Sequence, residues 1–281
     1  MKKLIALILS SLIIHHSFAQ DPWIIKADKI DPSNYYGITV ANGMIGIVSS
    51  PQPFQVKDVV LAGAYDLYGR GRVSNFLRSF NLLNMYLEID GKRLDNLSAV
   101  SNFHQQLDMH HASFTTSFDY ADKASVQYTY YSLRQLPFTV LMTVSITAKK
   151  DIDITAASVM QAPDALRDVE NYYNEIDRPQ ALIQLLTSTA KSQTGKLLMC
   201  ASNTFLFNEP HGSEPNVIHE MWDNNMHLMK FSKHIKAGTT YAYAVAGSSI
   251  TSAHDPDPLN AAERLTIFAK LQGTQKLIQY H

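Results

Sequence analysis

Apolar and polar residues alternate in one short run after another along this chain, and that pattern limits it to packed antiparallel sheets. Leu83, Met85, Leu87 and Ile89 alternate with Asn84, Tyr86, Glu88 and Asp90, and the run stops at Asp90-Gly91. This is the pattern of a half-buried strand entering a hairpin turn, where glycine takes a positive φ without steric cost. Phe114 to Tyr120, Val126 to Ser132 and Val140 to Ile146 repeat it. Ile152–Ser158, Ala181–Ala190, Leu197–Phe205, His227–Lys233 and Thr240–Ser249 are further candidates. Ala121-Asp122-Lys123, Lys149-Lys150-Asp151, Gln193-Thr194-Gly195 and Lys236-Ala237-Gly238 supply the turns between them. Closely spaced strands without alternating helices predict an all-β, large antiparallel two-sheet sandwich rather than a parallel α/β fold.

Three stretches break the pattern. Asp58 to Asn81 is polar and glycine-bearing and reads as a long loop. Gln161 to Pro179 reads as a short helix over Asp164 to Asn171 followed by a polar loop. Leu259 to Leu271 places Leu259, Ala262, Leu265 and Phe268 on one helical face, with Asp257-Pro258 as a start signal. The expected organisation is a signal peptide over 1–19, a β-sandwich over 20–255 and a linker helix over 256–281 that is cut short.

The leader carries Lys2 and Lys3, an apolar stretch from Leu4 to Ile14, and Ser17-Phe18-Ala19 as a small-x-small cleavage site. It is shorter than the roughly 20 residues of a membrane span. Gln20 rather than a cysteine follows, so lipid attachment is not indicated. A periplasmic or secreted location is expected. The 24 basic residues, two of them in the leader, nearly balance the 25 acidic ones. That balance gives no reason to expect nucleic acid or a membrane as partner. Cys200 is the single cysteine, so no internal disulfide is available and it reads as a small buried hydrophobe.

No local motif supplies a catalytic centre. His104, His110, His111 and Asp108 fit no known metal spacing, so no metal and no cofactor are expected. His219-Glu220 lacks the second histidine of HExxH, since position 223 is aspartate. Ala190 to Lys196 lacks the first glycine and the hydroxyl residue of a phosphate loop. Gly247-Ser248-Ser249, with Ser252, His254 and Asp255 close by in sequence, reads as capped turns rather than a triad. Asp66, Asp164, Asp168, Glu170 and Glu175 are carboxylates without a pairing that suggests glycosidic cleavage. The polar segment 62–78, AGAYDLYGRGRVSNFLR, is the strongest contact candidate. Tyr65 and Tyr68 suit stacking on a sugar or a neighbouring domain, and Asp66, Arg70, Arg72 and Asn75 suit hydrogen bonding.

Several strings carry a resemblance when taken in order. They are Val40 to Gly46 (VANGMIG), the Leu61–Asn81 segment, Leu87 to Gly91 (LEIDG), Gln106 to Met109, Leu133 to Pro137 (LRQLP) and Ala190 to Lys196. Together they resemble the N-terminal domain of glycoside hydrolase family 65, whose members act on trehalose, kojibiose, maltose and nigerose. The resemblance implies a supersandwich similar to galactose mutarotases, joined by linker helices to an α/α-barrel. A barrel glutamate is then the general acid, and water or phosphate attacks with inversion. It implies an α-linked glucose disaccharide or oligosaccharide as ligand and a catalytic barrel in the same chain as partner. No catalytic residue carries over, and this polypeptide is expected to be inactive alone. Hydrolysis is favoured over phosphorolysis, because a sugar phosphate made outside the cytoplasm conserves little energy. Two alternatives stay open: a stand-alone carbohydrate-binding module, and a mutarotase-type epimerase using His104 or His227.

Overall fold

The computed structural model describes residues 21–69, 74–179 and 181–281. The expected signal peptide, Arg70 and Arg72 lie outside the described residues. Among the described residues, eighteen strands form three antiparallel sheets. In the nine-stranded sheet the order is β1 (Ile24–Ala27), β8 (Val100–Asp108), β9 (Ser113–Tyr120), β10 (Ala124–Ser132), β11 (Thr139–Ala148), β18 (Thr240–Thr251), β15 (Leu198–Phe207), β14 (Ala181–Ser192) and β13 (Leu166–Arg178). A five-stranded sheet runs β16 (Ile218–Asp223), β17 (Met226–Ile235), β12 (Ile152–Gln161), β6 (Asn81–Ile89) and β7 (Lys92–Arg93). A four-stranded sheet runs β2 (Thr39–Ala41), β3 (Ile45–Ser49), β4 (Val56–Leu67) and β5 (Ser74–Arg78).

The nine-stranded sheet packs its inner face on both smaller sheets, and one continuous apolar core fills the space between. This is the antiparallel all-β sandwich that the alternation predicts, with its second layer split into two sheets rather than one, and it matches the supersandwich that the family resemblance implies. Inward positions 85, 87 and 89 of β6 and 114, 116, 118 and 120 of β9 are buried, as their period of two requires. At the end of β6, Asp90 (φ 51) and Gly91 (φ 71) both take the left-handed conformation that a tight primed hairpin turn demands. Cys200 is fully buried, and burial pushes its thiol up to about 12.

Three expectations need correction. Where a loop was expected over 58–81, β4 (Val56–Leu67) and β5 (Ser74–Arg78) are strands of the four-stranded sheet. Ala62 and Gly63 are both exposed, and Gly63 has φ +78, so a bulge resets the alternation and turns Ala64 and Asp66 inward. Segment 164–171 is not helical. Leu166–Arg178 is the edge strand β13, whose backbone pairs with β14 along its length. Its charged residues are what a sheet edge uses to block further pairing, which hides the strand from periodicity.

The C-terminal helix α1 covers Pro258–Gln279, with a non-helical break at Gly273 (φ 74, ψ 159). Asp257 caps it by accepting the Asn260 backbone N–H at 3.2 Å. Its buried residues are Pro258, Ala262, Thr266, Ala269 and Leu277, so of the predicted face only Ala262 is buried. The helix lies on the outer face of the nine-stranded sheet, where small residues let the backbones approach. Thr266 Oγ1 donates to the Ser202 carbonyl at 3.1 Å. Phe268 and Leu271 face outward.

Candidate functional site

Strands β4 and β5 place the predicted contact residues in two groups. Tyr65 stands on the outer face of the four-stranded sheet, directly across from Phe76. Both rings and Leu67 are largely exposed. Asp66 points the other way and is buried, accepting from Thr194 Oγ1 at 2.7 Å and from the Thr194 and Leu67 backbone N–H groups. Burial would raise its pKa, but hydrogen bonds from Ser192, Thr194 and Leu67 outweigh that and hold it at about 2. Asp66 therefore pins the hairpin to the Ser192–Gly195 turn and is not free to bind a ligand. Asn75 donates from Nδ2 to the Tyr68 carbonyl at 2.6 Å and closes the hairpin, while Tyr68 packs against the core.

The outer face around this hairpin is apolar. Met44, Gly46, Val48, Val60 and Ala62 line a groove of about 330 Å³. Asn42 shapes its rim, accepting the Met44 and Ile45 N–H groups at Oδ1 and donating to the Leu133 carbonyl at 2.8 Å. Gly43 supplies the turn at φ +91. Next to it, Pro137, Phe138, Ile250, Arg264 and Leu265 line a second depression of about 390 Å³. His254 stands between the two. Its Nε2 donates to the Ala62 carbonyl at 2.6 Å, and its Nδ1 accepts from Thr251 Oγ1 at 2.9 Å. A Cβ at Gly63 would come within 3.3 Å of His254 Nε2, so glycine keeps this approach open. Sequence reasoning missed Phe76, Val60, Ala62 and His254. Val60 and Ala62 follow the alternation along Val56–Leu67, but their continuity with Tyr65, and so with its partner Phe76, emerges only once a bulge at Gly63 is allowed.

Asp66, Asp168, Glu170 and Glu175 are occupied. Asp168 pairs with Arg167 at 2.9 Å and Lys191 at 3.5 Å; Glu175 accepts from Gln184 at 3.1 Å; Glu170 accepts from Tyr172. These three lie along one edge strand rather than across a cleft. Asp58 and Asp164 do share a cavity, but it holds about 180 Å³, and Arg78 ties up Asp58 at 3.1 Å. Small-molecule sites ordinarily run from roughly 300 to 1,000 Å³. The epimerase candidates sit in different sheets. His104 lies on β8 against Asp28 at 2.6 Å, and His227 lies on β17, fully buried and out of reach of a sugar. His110 and His111 each face their own aspartate, Asp21 at 3.6 Å and Asp108 at 2.8 Å.

The profile described as glycosyl hydrolase family 65, N-terminal domain, matches residues 37–281. The chain belongs to this family. A kojibiose hydrolase of Mucilaginibacter mallensis is 70% identical over 280 residues, covering 100% of this chain and 41% of that protein. A kojibiose hydrolase of Flavobacterium johnsoniae is 48% identical over 267 residues, covering 95% of this chain and 39% of that protein. The chain thus spans about two-fifths of these relatives' length. Among solved structures, a protein provisionally named a kojibiose phosphorylase from the human microbiome superposes with a TM-score of 0.71 at 12% identity. That match covers 92% of this chain and 37% of the other, and at this identity it establishes the shared fold. The N-terminal domain of family 65 is a non-catalytic domain of glycoside hydrolases of that family.

Proposed function

We propose that this chain is the scaffold domain of an exported hydrolase of kojibiose-type α-glucosides. In this reading the outer face of the four-stranded sheet seats a catalytic domain. The apolar outer face, running from Val60 and Ala62 to Tyr65 and Phe76, carries the proposal. A sheet face left to water normally alternates to polar residues, and a contiguous apolar one marks a contact surface. Tyr65 and Phe76 supply the aromatic anchors such an interface favours. The relatives' names and greater length support the substrate class and the presence of a second domain. The basic-apolar leader supports export. Hydrolysis is preferred to phosphorolysis for the energetic reason given above.

The test is reconstitution in trans. The remainder of the Mucilaginibacter mallensis enzyme, expressed without its own N-terminal two-fifths, is mixed with this chain and followed by gel filtration. A one-to-one complex is expected. Ala62→Glu, at an exposed position, is expected to weaken it by at least about tenfold, because an unpaired charge would be buried at the interface. No complex, or one indifferent to Ala62→Glu and Tyr65→Glu, would refute the seating.

A further inference from the structure

A second exposed aromatic surface lies on the other small sheet, away from the hairpin. Tyr86 on β6 and Trp222 on β16 belong to strands separated by β12 and β17. Their rings nevertheless meet, with centroids 5.3 Å apart and planes within 20°. They do so because Ala157, opposite Tyr86 on β12, leaves a gap that the two long side chains bridge, above buried Val159 and Leu228. The Arg93 guanidinium lies over Tyr86 at 3.1 Å. Trp222 remains 45% exposed on an edge strand, a position where polar residues are usual.

The rim is charged but balanced. Lys230 pairs with Glu220 at 2.5 Å, and Glu88 stands opposite Arg93 in register. Arg93 covers the Tyr86 ring and leaves the Trp222 indole as the open aromatic surface, and with Glu88, Glu220 and Lys230 it makes a surround of two cations and two carboxylates that offers donors and acceptors without net charge. An anion or a cation gains nothing from such a rim. A neutral pyranose ring gains twice, since its C–H face packs on the indole while its hydroxyls reach the rim groups. We propose that Tyr86 and Trp222, with Arg93, Glu88, Glu220 and Lys230, form a binding surface for a neutral α-glucoside. It is an accessory sugar site distinct from the β4–β5 face. It rests on the preceding functional reading only for the choice of sugar.

The sequence has two tryptophans, so Trp23→Phe leaves Trp222 as the sole indole. Kojibiose is titrated into that variant with emission recorded, and into the unaltered chain with calorimetry and with the Trp222 indole N–H followed by NMR. Saturable changes are expected in all three. Trp222→Ala and Tyr86→Ala are expected to weaken binding by about tenfold, the equivalent of one stacking contact, with Trp222→Phe retaining part of it. Unchanged far-ultraviolet circular dichroism checks the fold of each variant. Absence of saturation would overturn the site. So would kojibiose affinity that survives both alanine variants; that result would move sugar binding elsewhere and leave the scaffold reading intact. Loss of the trans complex with Ala62→Glu alongside unaltered titration would separate the two surfaces.

Discussion

Phe231→Ala is expected to lower the unfolding free energy by about 3–5 kcal/mol, the range for removing a large buried ring. Phe231, on β17, is buried to 1% exposure and sits where the sheets meet. Its ring contacts Phe205, Phe207 and Tyr243 edge-on, each with centroids 5.0 Å away and planes near perpendicular. Such edge-to-face contacts add to the simple burial of area. The cavity has little prospect of collapsing, because β15 and β18 are held in register by their ladder on the opposite side. Without a disulfide, nothing covalent limits the loss. Denaturant titration of the two proteins measures it. A change below about 1 kcal/mol would mean that this cluster is not the keystone of the sandwich.

Acidification from pH 6.5 towards 3 is expected to destabilise the fold progressively, by about 2 kcal/mol at pH 5. His227 contributes most, with His219 and His281, whose pKa values burial also lowers, adding in the same direction. Ser188 Oγ donates to Asn171 Oδ1 at 2.6 Å, so His227 Nε2 donates to Ser188 at 2.9 Å. His227 Nδ1 then accepts from His219 Nε2 at 3.2 Å, and the His219 ring stacks on Tyr173. The chain of bonds ties β13 and β14 of the large sheet to β16 and β17 of the five-stranded one. Burial first, and the neighbouring His219 second, push the His227 pKa down to about 3. A proton added at Nδ1 would set two donors face to face. The unfolded chain binds that proton from pH 6.5 downward while the folded chain refuses it until about 3, so stability rises with pH across that window. Asp66 and Asp119, both held at about 2, lose their contribution only below about pH 4, so the two effects separate. Stability measured by urea titration at several pH values gives the slope, and His227→Gln is expected to flatten it between pH 6.5 and 4. An unchanged slope in that variant would assign the acid sensitivity elsewhere.

The sandwich was legible in the sequence wherever one face of a strand meets the core and the other meets water. β6, β9, β10 and β11 have that environment, and their alternation follows directly. β4 failed because the bulge at Gly63 shifts its parity in mid-strand. β13 failed because an edge strand buries little and carries charge on both faces. In the first turns of α1 the buried stripe is mainly alanine and threonine (Ala262, Thr266, Ala269), since the helix must lie close to the sheet, so Phe268 and Leu271, which weigh in a periodicity count, face outward. Of the contact residues, Tyr65 was identifiable as exposed and aromatic. Asp66 was not identifiable as an anchor, because its partner Thr194 is 128 positions away in the chain. The meeting of Tyr86 and Trp222 depends on an alanine in a third strand, which no local pattern records.

Glucose release from kojibiose by the purified 31.5 kDa chain, assayed beside the full-length Mucilaginibacter mallensis enzyme, is the decisive assay for the scaffold reading. A scaffold whose candidate acids Asp66, Asp168, Glu170 and Glu175 are each held in hydrogen bonds or ion pairs predicts no release above buffer. Glucose release that copurifies with this chain and disappears on changing one of its own acids would contradict it.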